Sequence, residues 1–490
     1  MMTEVKENER LKFLIDGDWI VSSSQEAKES FDPGKGESIA AVPFATSEEV
    51  ELAVSSSDRA FERWAKVPIT ERIKYLFEMR DVLYKHFEHL ASLNTRNHGK
   101  TIRESRGDLK RAIENVDTAI GVAYTAFKGE NLEQIADGID EFMTREPLGT
   151  FAIICPFNFP IMIPFWFIPY ALILGATMVV KPSEIDPLPT VEAIRVIQEE
   201  THLPPGIINV VHGGKEVVES LIANRAVKGV TFVGSTPVAK HVFELAGRHG
   251  KRALVNGGAK NSLVVMPDAD LNNCVPSIIS SSFGNAGQRC LAGSNVVTVG
   301  GAHDVIVQKL SEAARVIKVG YGQREETDMG PVVTSIARDR ILKYIETGID
   351  EKAKVLVDGR RVSKLEYPGG FYLGPTIFED VSKEMRIARE EIFGPVLSIV
   401  STENIDEAID FINRGTDFGN MASIYTSSGA NAQRFRKEAN IGNIGINIGV
   451  AAPSAFFPFG GRRDSFFGVA HAQIDTLDFF TDKKVTIMRW

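Results

Sequence analysis

The sequence predicts an α/β architecture of two doubly wound, Rossmann-like α/β domains plus a small separate β element. Three observations predict it. From Gly149 onward, short apolar runs alternate with amphipathic helical stretches, the pattern of a mostly parallel sheet covered by helices. A second unit of the same kind runs from about Asp268 to Gly449. Two extended segments, 140–146 and the C-terminal DTLDFFTDKKVTIMRW, stand outside both.

In chain order, LKFLIDGDWI reads as an opening strand, followed by a helix from Ser47. A long helical block spans about Thr70 to Phe127, with apolar residues at three-and-four spacing. FAIICPF and MVVKPSE are strands, and TVEAIRVIQEE is the helix that follows. INVVHGG and KGVTFVGS are strands again, separated by the helix VVESLIANRA. The second unit has strands at SNVVTVGG, AKVLVDG, VLSIV and ASIYTS. Its helices are HDVIVQKLSEAARVI, NIDEAIDFINR and NAQRFRKEA. The C-terminal segment alternates like a strand, and an exposed lone strand is a liability unless it pairs with another element or subunit.

Composition narrows the function. A chain of 490 residues, 43% hydrophobic and 24% charged, has the length for two or three globular domains. A net charge of −9 argues against nucleic acid as the main partner. The most apolar run, 161–180, contains Pro164, Pro169 and Gly175 and reads as buried strand and helix rather than a membrane span. The charged N-terminus has no signal-peptide core. Cys155, Cys274 and Cys290 form no CxxC or Cys/His cluster, so neither a disulfide framework nor a metal site is expected, and a reducing, cytoplasmic compartment is.

Five segments carry candidate chemistry. Cys290 lies among small residues in GNAGQRCLAG, with Arg289 beside it to favour the thiolate; a buried core cysteine is the plain alternative. Asn158 in CPFNFP can donate to a developing oxyanion or serve only as a turn residue. Lys181 and Glu184 follow a strand in VVKPSE, where they can hold a ribose or simply be solvated. Gly234 and Ser235 in FVGST form a strand-to-helix turn that can seat a pyrophosphate, although the segment is not GxGxxG. Glu391 and Phe393 in EEIFGPV offer a carboxylate for ribose hydroxyls and an aromatic ring for a nicotinamide, or a packed strand start.

The order of these motifs (PFNFP, VVKPSE, FVGST, GGAKN, GQRC, DMGP, GPTI, EEIFGPV) resembles the aldehyde dehydrogenase superfamily from about residue 12 to the C-terminus. FNFPIMIPFWFIP, RHGKR, NGGAKN, GQRC and FFTDKKVT are most similar to the methylmalonate-semialdehyde dehydrogenase family. The resemblance implies Cys290 as nucleophile and Asn158 as oxyanion donor. It implies Phe157, Lys181, Glu184, Gly234, Ser235, Glu391 and Phe393 as contacts of NAD, with coenzyme A as acyl acceptor. Arg289, and Arg111 in GDLKRAIENVD, become ligands for a substrate carboxylate, which a guanidinium grips in a bidentate fork. It also implies a division into an NAD-binding domain (1–127 and 147–258), a catalytic domain (259–470) and an oligomerisation element (128–146 and 471–490), in dimers or tetramers.

One departure bears on mechanism. Hydrolytic members carry a glutamate where this chain has Asn256, and an amide is no general base. Attack by water on a thioester is then slow, whereas a coenzyme A thiolate needs no such base. Ser262, where a histidine is usual, and a shortened stretch after Phe457 also depart from the family. The expected reaction is oxidation of methylmalonate or malonate semialdehyde to propionyl-CoA or acetyl-CoA with loss of carbon dioxide. Glu184 on the adenosine ribose favours NAD over NADP. The alternatives are a hydrolytic semialdehyde or glyceraldehyde dehydrogenase using Glu391 through a water, and a non-catalytic NAD-binding protein on the same fold.

Overall fold

The computed structural model describes residues 9–363 and 365–490. Its largest sheet has eight strands, in the order Phe466–Gly468, Arg252–Asn256, Val227–Val233, Thr150–Ile154, Thr177–Lys181, Ile208–Val210, Phe13–Ile15 and Asp18–Ile20. The five from Arg252–Asn256 to Ile208–Val210 are parallel. Thr150–Ile154 and Thr177–Lys181 are buried at every residue, as a parallel sheet covered on both faces requires.

The chain extends this sheet to one side of Thr150–Ile154, then returns to add Val227–Val233 on the other. The carboxyl ends of these two neighbours therefore flank a topological switch point, where open α/β sheets bind ligands. Phe157 and Asn158 emerge from one strand, and Gly234 and Ser235 from the other.

A seven-stranded sheet follows, ordered Lys354–Val357, Thr376–Glu379, Val396–Thr402, Gly293–Val299, Asn261–Val265, Met421–Tyr425 and Asn443–Ile446. All are parallel except the edge strand Lys354–Val357. Arg252–Asn256 ends one sheet and Asn261–Val265 begins the other, so only 257–260 separate the carboxyl end of the first from the amino end of the second.

Four readings of the sequence need correction. LKFLIDGDWI is a hairpin, Phe13–Ile15 against Asp18–Ile20, because Asp16 (φ 56°) and Gly17 (φ 90°) form a tight left-handed turn. The helical block is three helices, Ile69–Lys85, Phe87–His98 and Ile102–Ala126, interrupted at His86 and Gly99. Phe466–Gly468, read as part of the 259–470 segment, adds antiparallel to Arg252–Asn256 in the first sheet. The C-terminal segment is strand only over Thr481–Arg489; Leu477–Phe480 is a helical turn. Phe479 and Phe480 are both buried against Phe151, at ring-centroid distances of 5.2 and 4.7 Å, and a strand cannot turn two consecutive rings to one side.

Thr481–Arg489 pairs antiparallel with Ile139–Pro147, which pairs with Glu130–Ala136, making a separate three-stranded sheet. Among the described residues no helix is long and apolar enough to cross a membrane.

Candidate active site

Cys290 sits just ahead of Gly293–Val299, at the amino end of the seven-stranded sheet. The loop leading to it is left-handed at three consecutive residues: Asn285 (φ 54°), Ala286 (φ 50°) and Gly287 (φ 72°). Such geometry costs roughly 1–2 kcal/mol per residue bearing a Cβ and persists only where contacts fix it. The contacts are dense. Asn285 Nδ2 donates to the carbonyls of Asn158 (3.2 Å) and Gln288 (3.1 Å), and Gln288 Oε1 accepts from the Val333 amide (3.1 Å). The Cys290 carbonyl accepts from Asn261 Nδ2 and Asn420 Nδ2, both at 2.8 Å.

Asn158 is buried, and its carbonyl also accepts from Lys100 Nζ at 2.8 Å. Lys100 and Asp108 form a fully buried ion pair (3.0 Å), and Asp108 Oδ1 accepts from the Met162 amide (2.7 Å). One ion pair thus fixes both ends of the 158–162 turn, while the Asn158 side-chain amide makes no hydrogen bond among the described residues. That leaves the amide uncommitted.

A cavity of about 840 Å³ is lined by Cys290, Arg289, Arg111, Phe159, Trp166 and Phe459, among others. Arg289 and Arg111 thus share a chamber with the sulfur. Each holds a carboxylate partner, Glu104 at 2.8 Å and Glu114 at 2.7 Å respectively. Burial, then the charge of Glu391, push the Cys290 thiol up to about 12; the amides of Cys290 and Leu291 and the Arg289 guanidinium pull the other way. The free protein therefore holds a thiol.

Glu391 is half-buried and accepts from the Ala259 amide at 2.7 Å, inside the 257–260 crossing. Burial raises its carboxyl to about 7, opposed by that hydrogen bond and by Arg340 and Lys260. Lys260 is buried with Nζ unpartnered, and burial lowers it to about 7. Phe393 (φ 53°) meets Phe157 edge-to-face at 5.7 Å, and Phe157 stacks on the buried His98. Asn256 is buried with Nδ2 unpartnered; neither large cavity includes it among its lining residues.

Lys181 and Glu184 line a second cleft of about 460 Å³, with Gly214, Pro237 and His241. Lys181 Nζ donates to Glu184 Oε2 (3.1 Å) and the Gly213 carbonyl (3.0 Å). Burial pushes Glu184 up, but Lys181, its own amide and Lys28 outweigh this and leave it low. Ser235 is exposed at the N-cap of the helix Thr236–Arg248 and makes no side-chain cap bond, so that helix end is open to an anion.

The profile of the aldehyde dehydrogenase family matches residues 19–486. The chain belongs to that family. Malonate-semialdehyde dehydrogenase 2 of Geobacillus kaustophilus (strain HTA426) is 44% identical over 481 residues, 98% of this chain and 99% of that one. Malonate-semialdehyde dehydrogenase of Halalkalibacterium halodurans is 41% identical over 492 residues, covering all of both chains. Among solved structures, methylmalonate-semialdehyde dehydrogenase from Oceanimonas doudoroffii superposes with a TM-score of 0.96 at 37% identity, over 98% of each chain. A candidate methylmalonate-semialdehyde dehydrogenase of Sinorhizobium meliloti 1021, complexed with NAD, has a TM-score of 0.96 at 36% identity, over 100% of this chain and 99% of its own.

This aldehyde dehydrogenase is an oxidoreductase acting on aldehyde groups, and its architecture carries more than the motifs disclosed. Lys100, Asp108, Glu104, Asn285 and Lys260 were not singled out in the sequence. Glu104 had a readable signal, because Thr101-Ile-Arg-Glu104 is the capping-box pattern at a helix start, and the box forms. The others gave none, since what Lys100, Asp108 and Asn285 hold in the 158–162 turn lies far along the chain, and Lys260 Nζ has no hydrogen-bond partner among the described residues.

Proposed function

We propose that this aldehyde dehydrogenase oxidises a small semialdehyde bearing a carboxylate, malonate or methylmalonate semialdehyde, with NAD, through a thioester on Cys290 that is passed to coenzyme A. The observation that carries the reading is the chamber that puts two guanidiniums, Arg289 and Arg111, in one cavity with Cys290. An aldehyde bears no charge, so paired arginines suit a substrate with an anionic end. The names of the similar proteins from Geobacillus, Halalkalibacterium and Oceanimonas support the same class.

The residues present fit a dinucleotide. An ionised Glu184 beside Lys181 suits the paired hydroxyls of an adenosine ribose and repels a 2′-phosphate, and Gly234 and Ser235 open a helix N-terminus to a pyrophosphate. Bound NAD supplies the hydride acceptor. Glu391, Phe393 and Phe157 are then assigned to its nicotinamide end. Cys290 Sγ, once its proton is lost to solvent, attacks the aldehyde carbon, and the uncommitted Asn158 amide and the Cys290 N–H hold the oxyanion. With Asn256 in place of a carboxylate, the chain has no base at that position to activate water.

The 1–127 and 147–258 segments, with the strand Phe466–Gly468, are assigned to the cofactor and the rest of 259–470 to catalysis. The 128–146 and 471–490 element is assigned to assembly of a cytoplasmic dimer or tetramer.

A hydrolytic reading has one observation in its favour: Glu391, raised to about 7 and acting electrostatically on Cys290, has the acidity of a general base. Product analysis of malonate semialdehyde turnover separates the two. With coenzyme A present, acetyl-CoA, carbon dioxide and NADH are expected; with it withheld, little NADH should form. Full turnover to free acid without coenzyme A would assign the second half-reaction to water.

A further inference from the structure

Arg289 does not lie loose in the cavity. Its Nη2 donates to Glu104 Oε1 at 2.8 Å, and the same oxygen accepts the Asn285 amide at 2.6 Å. The other oxygen, Oε2, accepts from both the amide and the hydroxyl of Thr101 at 3.0 Å each, closing the capping box of the 25-residue helix Ile102–Ala126. The carboxylate is therefore fixed by a rigid element on one side and grips the nucleophile loop on the other. The guanidinium also lies flat on Gly284, where a Cβ would stand 2.7 Å from Nη1. Its Nε is buried and has no hydrogen-bond partner among the described residues.

A buried guanidinium N–H without an acceptor is costly unless a ligand completes it. We infer that Glu104 is a positioning residue for substrate selection: it holds the Arg289 guanidinium in the wall of the Cys290 chamber, where it can meet the anionic end of a carboxylate-bearing aldehyde. The inference rests on the carboxylate reading of Arg289 given above.

The sign of the expected effect separates positioning from simple charge. Glu104 is an anion near the place where another anion binds. If field strength alone governed, Glu104→Gln would strengthen selection of an acidic substrate. If Glu104 acts by holding Arg289, the same change releases the guanidinium and weakens selection. The experiment compares kcat/KM for malonate semialdehyde and for propanal, an uncharged aldehyde of equal length, in wild type, E104Q and E104A, with NAD and coenzyme A present.

The expected result is a fall in the acid-over-propanal ratio of about tenfold in E104A, the scale of one charge-assisted hydrogen bond. E104Q, which keeps a neutral acceptor, should fall less; losing the hold on the Asn285 amide lowers turnover of both aldehydes, so the ratio and not either rate carries the test. If E104A does not fold, the drop in E104Q alone carries the test. A ratio that rises in E104Q, or an equal loss on both substrates, overturns the inference. A wild-type enzyme that treats both aldehydes alike instead overturns the carboxylate reading, and this inference with it.

Discussion

The sulfur of Cys290 is held as a thiol by two effects that a change of buffer can read. Burial is the larger, and the charge of Glu391 the next. Iodoacetamide alkylation of the free enzyme should therefore be slow at pH 7 and rise far above the usual cysteine midpoint. In Glu391→Gln the midpoint should move down, because a negative charge has been removed; a midpoint that moves up would make Glu391 the base for Cys290. The same variant tests stability. The folded state raises the Glu391 carboxyl to about 7 from 4.5, so it binds that proton more tightly than the unfolded chain does. The resulting stabilisation is present below about pH 4.5 and is lost as the pH climbs through 7. Melting temperatures measured from pH 5 to 8 should thus fall less steeply in Glu391→Gln than in wild type. Asn158→Ala leaves the backbone carbonyl that Lys100 and Asn285 hold, so the turn should persist while kcat drops about a hundred- to thousandfold. Retained turnover in that variant would remove Asn158 from the oxyanion site.

Elements place these residues by their ends. The switch point brings the ends of Thr150–Ile154 and Val227–Val233 together, and the side-chain amides of Asn261, first in Asn261–Val265, and Asn420, just ahead of Met421–Tyr425, donate to the Cys290 carbonyl. The strands and most helices could be read from the chain because their signals are local: period, caps and apolar runs. The helix at Ser47 begins where it was read, behind a Thr46 capping box. The turn at Asp16–Gly17 and the breaks at His86 and Gly99 are local; the other failures came where a distant partner decides. Phe479 and Phe480 turn inward because Phe151 is there, and Phe466–Gly468 finds Arg252–Asn256 from over two hundred residues away. The Lys100–Asp108 clamp is invisible in sequence for the same reason, since its target is a carbonyl after another strand. The nucleophile loop gives an element-scale test. Gly287 has φ 72°, and a Cβ there would lie 2.1 Å from the Gly394 carbonyl oxygen. Gly287→Ala must therefore displace either the Cys290 loop or the Phe393 turn. Activity should fall by more than tenfold while NAD binding, measured by fluorescence titration, weakens as well; a fully active variant would show that the two loops are not in register.

At the scale of the whole molecule, residues 257–260 lead from one large sheet into the other, and the three-stranded sheet containing Thr481–Arg489 shares no ladder with either, although Arg252 of the first sheet bonds to Thr481 and Asp482. That three-stranded sheet is not arranged as a solvated face. Leu132, Ile135, Val485, Ile487 and Trp490 are exposed on its strands or just beyond them, although Lys484 pairs with Glu146 across the same ribbon. Large apolar side chains grouped on a thin sheet suit the assembly role proposed for this element. Removing 481–490 tests this without disturbing the nucleophile, because Phe479 and Phe480 remain packed on Phe151. The hairpin Glu130–Pro147 would then lose its nine-residue partner and become a two-stranded ribbon, which is marginal in water. Sedimentation should show the full chain as a dimer or tetramer and the shortened one as a smaller species with Cys290 still open to alkylation. If the shortened chain keeps the full assembly, the contact between subunits lies elsewhere and the apolar face of this sheet requires another explanation.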